Sequence, residues 1–224
     1  MEDASDGSKV AALHDHTYGI TSDPLTQISC VFAALIHDVD HCGIPNAQLV
    51  KENSPLANLY QKRSVAEQNS LDLAWKLLEE PAFDNLRQTI CPTTEELCRF
   101  REILVNCVMA TDIVDKELKN LRNQRWEKAF AKDNNQMNNE EEESPRDAVN
   151  RKATIVIEHL IQASDVAHMM QHWHVYRKWN EMLFRENHAA FEAGRAETNP
   201  ADSWYQGEIG FFDFYIIPLA KKLK

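Results

Sequence analysis

Glycine is scarce in this chain, six among 224 residues, and no stretch sustains a period-two alternation of apolar and polar residues. Sheet architectures built on tight glycine turns are excluded, and apolar residues at three- and four-residue spacing make the pattern helical nearly throughout. Positive charge is also in deficit: 24 Lys and Arg stand against 35 Asp and Glu, a net −11. No broad basic surface exists to neutralise phosphates, which excludes nucleic acid as the main partner. A small anionic ligand would need a local positive centre such as a bound cation. The longest apolar run falls far short of the ~20 residues of a spanning helix, so no direct membrane contact is expected from this chain. Cys30, Cys42, Cys91, Cys98 and Cys107 are odd in number and form no C-x-x-C pair. That pattern reads as reduced thiols in a cytoplasmic protein. G-x-S-x-G, P-loop and G-x-G-x-x-G motifs are missing, which removes the serine-hydrolase and nucleotide-loop chemistries that use them. The opening MEDASDGSK is too polar for a signal peptide.

The chain reads as an all-α bundle of one domain over residues 21–224, preceded by an irregular segment, 1–20. Asp23-Pro24 marks a helix start, Asp as cap and Pro at the first helical position, and the helix is expected to run to about His41. Further helices are expected at about 54–60, 64–79, 94–111, 115–130, 146–167, 172–193 and 204–223. AKDNNQMNNEEEESP, in the stretch 131–146, interrupts the order and reads as a mobile acidic surface loop.

Chemistry concentrates where apolar runs stop. ISCVFAALI, residues 28–36, carries no charge, and a helix apolar all round is expected to be buried. It leads directly into His37, Asp38, Asp40 and His41. Buried charge is costly unless paired or metal-bound, and imidazole with carboxylate suits Zn²⁺, Mn²⁺ or Fe²⁺. On a continuing helix, His37, Asp38 and His41 would share a face of about 100°, with Asp40 and His41 available to orient the ligands. "VMATD" and "IQASD" repeat the device with Asp112 and Asp165, carboxylates set against the negative end of a helix dipole. Asp165 is the candidate distant ligand. Each group also has a plain structural role open to it. His37–His41 could be a solvated helix end, Asp112 could cap the helix that follows, and Glu67 forms S-x-x-E with Ser64, a capping box. His14-Asp15-His16 lacks a preceding apolar run and is set aside. His168, Tyr176 and Trp179 form a stripe that could be core or could face a cleft.

The blocks "ALIHDVDHCGIPNAQLVKENSPLANLYQKRSVAEQNSLDLAWKLL", "VMATD", "QASDVAH" and "GEIGFFDFYIIPLAKKL" occur in an order that resembles the class I 3′,5′-cyclic nucleotide phosphodiesterases, members of the HD-domain metallohydrolases. The resemblance implies an HD-type helical bundle that hydrolyses cAMP or cGMP to 5′-monophosphates in cyclic-nucleotide signalling. It implies two divalent metal ions, zinc plus magnesium or manganese. His37 and Asp38 become metal ligands, Asp38 bridging both ions, and Asp165 the distant ligand. Asp40, His41, Glu67 and Asp112 become groups around the metals and their water. Phe211 becomes the aromatic that stacks on the purine, Leu183 the apolar residue opposite, and Tyr176 and Trp179 pocket-wall or core aromatics; His168, close to Asp165 in sequence, is a further candidate for the same cleft.

Three departures limit the transfer. The 224 residues contain no H-N-x-x-H, the family segment that supplies the acid for O3′ and another metal ligand. A clipped domain is therefore expected, either impaired or acting only as a nucleotide- or partner-binding module. The purine-binding glutamine of the family falls on Glu208. An ionised Glu only accepts hydrogen bonds, which tilts the expectation toward cGMP. The Asn-Pro that often follows the distant Asp is replaced by Ala167-His168. A homodimer and a membrane anchor in longer forms are left open.

Overall fold

The structure, a computed structural model, describes residues 3–130 and 144–224. Its described residues form twelve α-helices and no strand. In order these are α1 (Asp3–His16), α2 (Pro24–Ile36), α3 (Asn46–Lys51), α4 (Pro55–Leu59), α5 (Val65–Leu78), α6 (Asp84–Ile90), α7 (Thr94–Ala110), α8 (Lys116–Phe130), α9 (Pro145–Asp165), α10 (Trp173–Glu192), α11 (Trp204–Phe211) and α12 (Ile217–Leu223). None is long and apolar enough to cross a membrane.

The core sits around α7. Thr93 and Glu96 close a reciprocal capping box that fixes where this helix starts. Its Phe100, Leu104, Cys107 and Val108 pack against Ala33 and Ile36 of α2, Ala74 and Leu78 of α5, and Ile157 and Ile161 of α9. With α7 as the hub, the C-terminal ends of α2 and α9 come together, and that meeting positions the site.

Several expectations are corrected. The first 20 residues are not irregular: α1 occupies Asp3–His16, where Ala11, Ala12 and Leu13 favour helix. It ends at Gly19, in the left-handed region at φ 81°, whose N–H donates to His14 O at 2.8 Å. Residues 131–143 of the acidic loop lie outside the described residues. Ser144 already caps α9, its Oγ accepting from Asp147 N at 3.2 Å, so Pro145 and Arg146 are helical. The apolar run of α2 is buried on one face only, with Val31 66% and Leu35 75% exposed. The last long helix is interrupted by a π-turn at Phe212–Ile216, just before Pro218, which lacks the N–H of a regular turn. Helices α3 and α6 are additional to the expected set.

Two predictions follow from the core. Phe100→Ala should lower stability by about 3–5 kcal/mol in urea denaturation, whereas Leu121→Ala, 49% exposed, should stay within about 0.5 kcal/mol. His159 is buried on α9, and that burial holds its imidazole down at about 4, below the ordinary 6.5. The unfolded chain therefore takes up the proton first as pH falls. The stability is intact above pH 6.5 and is lost progressively toward pH 4. Urea midpoints across that window should fall less steeply in His159→Asn.

Candidate metal centre and adjoining cleft

The α2 helix stops at Ile36 rather than His41. Two tight turns follow, with Val39 N donating to Ile36 O and His41 N to Asp38 O, each at 3.0 Å. Asp40 lies at φ 63°, a conformation costly for a residue with a Cβ. Helix α5 holds this turn from outside. Ser70 Oγ donates to Val39 O at 2.8 Å, and Asn69 Nδ2 donates to Asp40 Oδ2 at 3.0 Å. Gly43, at φ 70°, closes the loop; a Cβ there would stand 2.9 Å from the Glu186 side chain of α10. His37, Asp38 and His41 thus do not share a helix face. His41 Nδ1 instead accepts from Gly43 N at 3.2 Å.

The turn still delivers two ligands. His37 Nε2 stands 3.3 Å from Asp38 Oδ2 and 3.3 Å from Asp165 Oδ1, at the last residue of α9. One ligand atom from each of the three lies within 4.8 Å of the others. His37 Nδ1 is 2.9 Å from Ala34 O, so that nitrogen carries a proton, and Nε2, which faces the carboxylates, is the atom that becomes a ligand once it gives up its own proton. One imidazole nitrogen and two carboxylate oxygens, converging and partly open to solvent, form a donor set that fits a divalent cation. The proximity of Asp165, then of Asp38, pushes the metal-free imidazole up to about 10. Asp38, facing His37, is held below the usual carboxylate range.

Asp112 does not join this cluster. It is buried, and its Oδ1 accepts from Val114 N at 3.2 Å and Asp115 N at 3.1 Å. The α8 cap is Asp115, whose side chain accepts from Leu118 N at 3.0 Å. Oδ2 of Asp112 accepts from Ser64 Oγ at 2.7 Å. The expected Ser64–Glu67 capping box is consequently absent: Ser64 sits at φ 37° with its hydroxyl turned to Asp112. Asn46, which no sequence pattern marked, replaces it. Its Oδ1 accepts from Ala66 N at 2.9 Å, capping α5 from another helix, while its Nδ2 donates to Glu67 Oε2 at 2.8 Å and reaches Asp112 Oδ2 at 3.5 Å. Burial, with the Asp112 charge adding, raises the Glu67 carboxyl above its ordinary value. Glu67 is thus a half-buried carboxylate with a raised pKa, and not the helix cap that S-x-x-E suggested.

The C-terminal candidates divide between two surfaces. Glu208 Oε2 accepts from Tyr176 Oη at 2.7 Å and Asn180 Nδ2 at 2.5 Å, and Trp204 Nε1 donates to Asn180 Oδ1 at 3.0 Å. These residues, with Trp173 and Phe212, line a cleft of roughly 640 Å³. Phe211 is not on that lining; it stacks on Tyr215 at 5.2 Å against Val166 and Ile216. Leu183 is 47% exposed on α10 and is also off the lining. The His168 ring faces Trp179 at 6.2 Å rather than the metal cluster. Asn180 and Trp204 were missed, although Tyr176 and Asn180 stand four apart on one face of α10, which is the readable signal.

Known proteins share this chain's sequence pattern and fold. A family model described as 3′5′-cyclic nucleotide phosphodiesterase matches residues 10–224. A probable 3′,5′-cyclic-AMP phosphodiesterase, pde-4, of Caenorhabditis elegans is 27% identical over 205 residues, covering 87% of this chain and 29% of the relative. A dual specificity calcium/calmodulin-dependent 3′,5′-cyclic nucleotide phosphodiesterase 1B of Bos taurus is 24% identical over 203 residues, covering 85% of this chain and 33% of the relative. The chain thus spans only about a third, or less, of these relatives. The phosphodiesterase domain of the RhoPDE fusion protein from the choanoflagellate Salpingoeca rosetta shares the fold, with a TM-score of 0.70 at 24% identity over 93% of this chain and 67% of that one. With the match covering residues 10–224, the chain belongs to the 3′,5′-cyclic nucleotide phosphodiesterase family.

Proposed function

We propose that this chain binds 3′,5′-cyclic nucleotides and takes part in their metal-dependent hydrolysis to 5′-monophosphates. The observation that carries the reading is the convergence of His37, Asp38 and Asp165, 128 residues apart in sequence at its widest, within a chain of this family. His37 through Nε2, with Asp38 and Asp165, would hold divalent ions, zinc with magnesium or manganese. When bound, such ions supply Lewis-acid stabilisation of charge developing on a phosphoryl group.

The chain's own residues do the rest. Glu67, kept basic by burial and by Asp112, can take a proton from a water oriented beside the ligands. Asn46 fixes that carboxylate, and Asn69 fixes Asp40. His41 accepts from Gly43 N on Nδ1 and so offers its proton from Nε2. In the cleft between α10 and α11, Glu208 has one oxygen occupied by Tyr176 and Asn180. Its remaining acceptor capacity suits the N1–H and N2–H₂ of guanine, against one amino group of adenine. That is the basis for assigning it a preference for cGMP, with Tyr176 as positioning residue; Phe211, Leu183 and His168, off the lining of the cleft, would reach a purine only after rearrangement.

A second reading is favoured by one observation: the sequence has no H-N-x-x-H to supply the acid for O3′. The chain would then bind nucleotide without turning it over. Loss of a general acid typically costs 10²–10⁴-fold.

Chelation of the purified protein should remove zinc or manganese detected by mass spectrometry and abolish any cGMP hydrolysis. Asp165→Ala should cut metal retention by more than the ~10–100-fold typical of losing an outer hydrogen-bond partner; full retention would sink the metal reading. Equilibrium dialysis separates turnover from binding alone, since a binding-only chain retains cGMP unhydrolysed. Glu208→Gln should shift the cGMP/cAMP ratio of affinities, or of kcat/KM, toward cAMP by about 10-fold. Asn46→Leu should lower kcat/KM about 10-fold by freeing Glu67, with metal content unchanged.

A further inference from the structure

A separate cavity, of roughly 130 Å³, lies between α8, α9 and the π-turn leading into α12. Lys119, Arg122 and Lys222 line it, together with His159, Asn123 and Tyr215, and no acidic side chain lines it. In a chain of net charge −11, three cations around one small cavity are conspicuous. Acids stand near the cavity without lining it: Glu158 pairs with Arg125 at 2.9 Å, and Asp112 and Asp115 cap backbone N–H groups. The charges of all three act on Arg122, and that of Glu127 acts on Lys222.

The donors are held in place. Arg122, 9% exposed, donates to Asp112 O at 2.9 Å and weakly to Met109 O at 3.4 Å, leaving other guanidinium N–H groups unused. Lys222 Nζ donates to Asn123 Oδ1 at 2.7 Å and contacts His159 Nε2 at 3.4 Å, with a third N–H to spare. It also lies 5.3 Å over the Trp126 ring. His159 Nδ1 is 2.7 Å from Ile155 O, which orients the ring. The Tyr215 hydroxyl is buried and has no hydrogen-bond partner, a costly arrangement that an acceptor oxygen would relieve. Burial lowers the basicity of both Lys222 and Arg122; Arg122 and Lys119 lower that of Lys222 further, and Lys222 and Arg122 that of His159, while nearby acids partly offset the effect at Arg122 and at Lys222. An anion would reverse that penalty.

We infer that this cavity is a binding site for a small oxyanion of the phosphate class, distinct from the metal centre. The volume lies below the ~300 Å³ of pockets that bury drug-sized ligands, so a nucleoside does not fit, while a single tetrahedral oxyanion does. Lys119 and Lys222 neutralise it, Arg122 donates from the buried wall, and Tyr215 donates its hydroxyl. The ligand would stand behind the end of α7, where Arg122 already grips the Asp112 carbonyl.

The test compares sodium phosphate with sodium chloride at equal ionic strength on the whole chain. Phosphate should raise the melting temperature saturably by about 2–4 °C at ten times its dissociation constant, and should change the fluorescence of Trp126. Lys119→Gln/Lys222→Gln removes two charges and keeps a donor for Asn123. It should lose both responses while keeping its metal content and its melting temperature in chloride. Trp126→Phe should lose the optical response and keep the thermal one. Phosphate bound at the metal centre persists in every variant and cancels in the comparison. A thermal shift equal in chloride, or undiminished in the double variant, overturns the site.

Discussion

One contact organises this molecule: the His37 imidazole set between the carboxylates of Asp38 and Asp165. Two acidic side chains facing each other at this range repel, and each sits at the negative end of its helix. Without a cation, the imidazole must carry the compensating charge, which is why its proton is held up to about 10. With a divalent cation in place the same three groups become ligands and that proton must leave. The contact is therefore a place where a charge is required and where its identity is left to the environment. It demands that α2 and α9 end at the same point, and the packing of both on α7 provides this.

The turn after Ile36 shows how much of the fold serves that contact. Asp40 at φ 63° and Ser64 at φ 37° are unfavourable conformations, of order 1–3 kcal/mol each. Both are compensated by side chains that cross between elements: Asn69 to Asp40, Ser70 to Val39, and Ser64 to Asp112. Asn46 ties the network together by capping α5 with its oxygen and holding Glu67 with its nitrogen. The acidic groups of the site are thus fixed by neutral donors rather than by lysine or arginine. Within the cluster itself the His37 imidazole offsets the carboxylates, and a bound cation would take over that role.

Most long helices were legible because apolar spacing over three or more turns is a strong signal, and caps such as Asp23-Pro24 and Thr93–Glu96 carry local chemistry. The pairing of His37 with Asp165 was legible too, from the cost of placing charge after an apolar run. What misled was the assumption that local pattern decides local geometry. Ser64 and Glu67 spell a capping box, yet the buried Asp112 carboxylate offers Ser64 a stronger partner and Asn46 takes over the cap. His41 follows His37 at helical spacing, yet α5 pulls Val39 and Asp40 out of the helix. Both outcomes depend on residues about twenty or more positions away, beyond the few turns over which a local pattern is read.

The same limit explains why the cationic cavity was invisible in advance. Lys119 and Arg122 are a helix turn apart, but Lys222 arrives from about a hundred residues downstream and His159 from another helix. A net charge of −11 argues against a broad basic surface but is silent about a local one, because potential inside a partly buried pocket depends on the few charges lining it. The protein thus carries two clusters of opposite character, the acidic one at His37, Asp38 and Asp165 and the basic one at Lys119, Arg122 and Lys222. Tyr215 lies between them: its hydroxyl feels the charges of both Asp165 and Arg122, and burial with the Asp165 charge keeps its proton bound well above the usual phenol range. A neutral phenol can donate toward either site, so the charge state of one is felt by the group nearest the other.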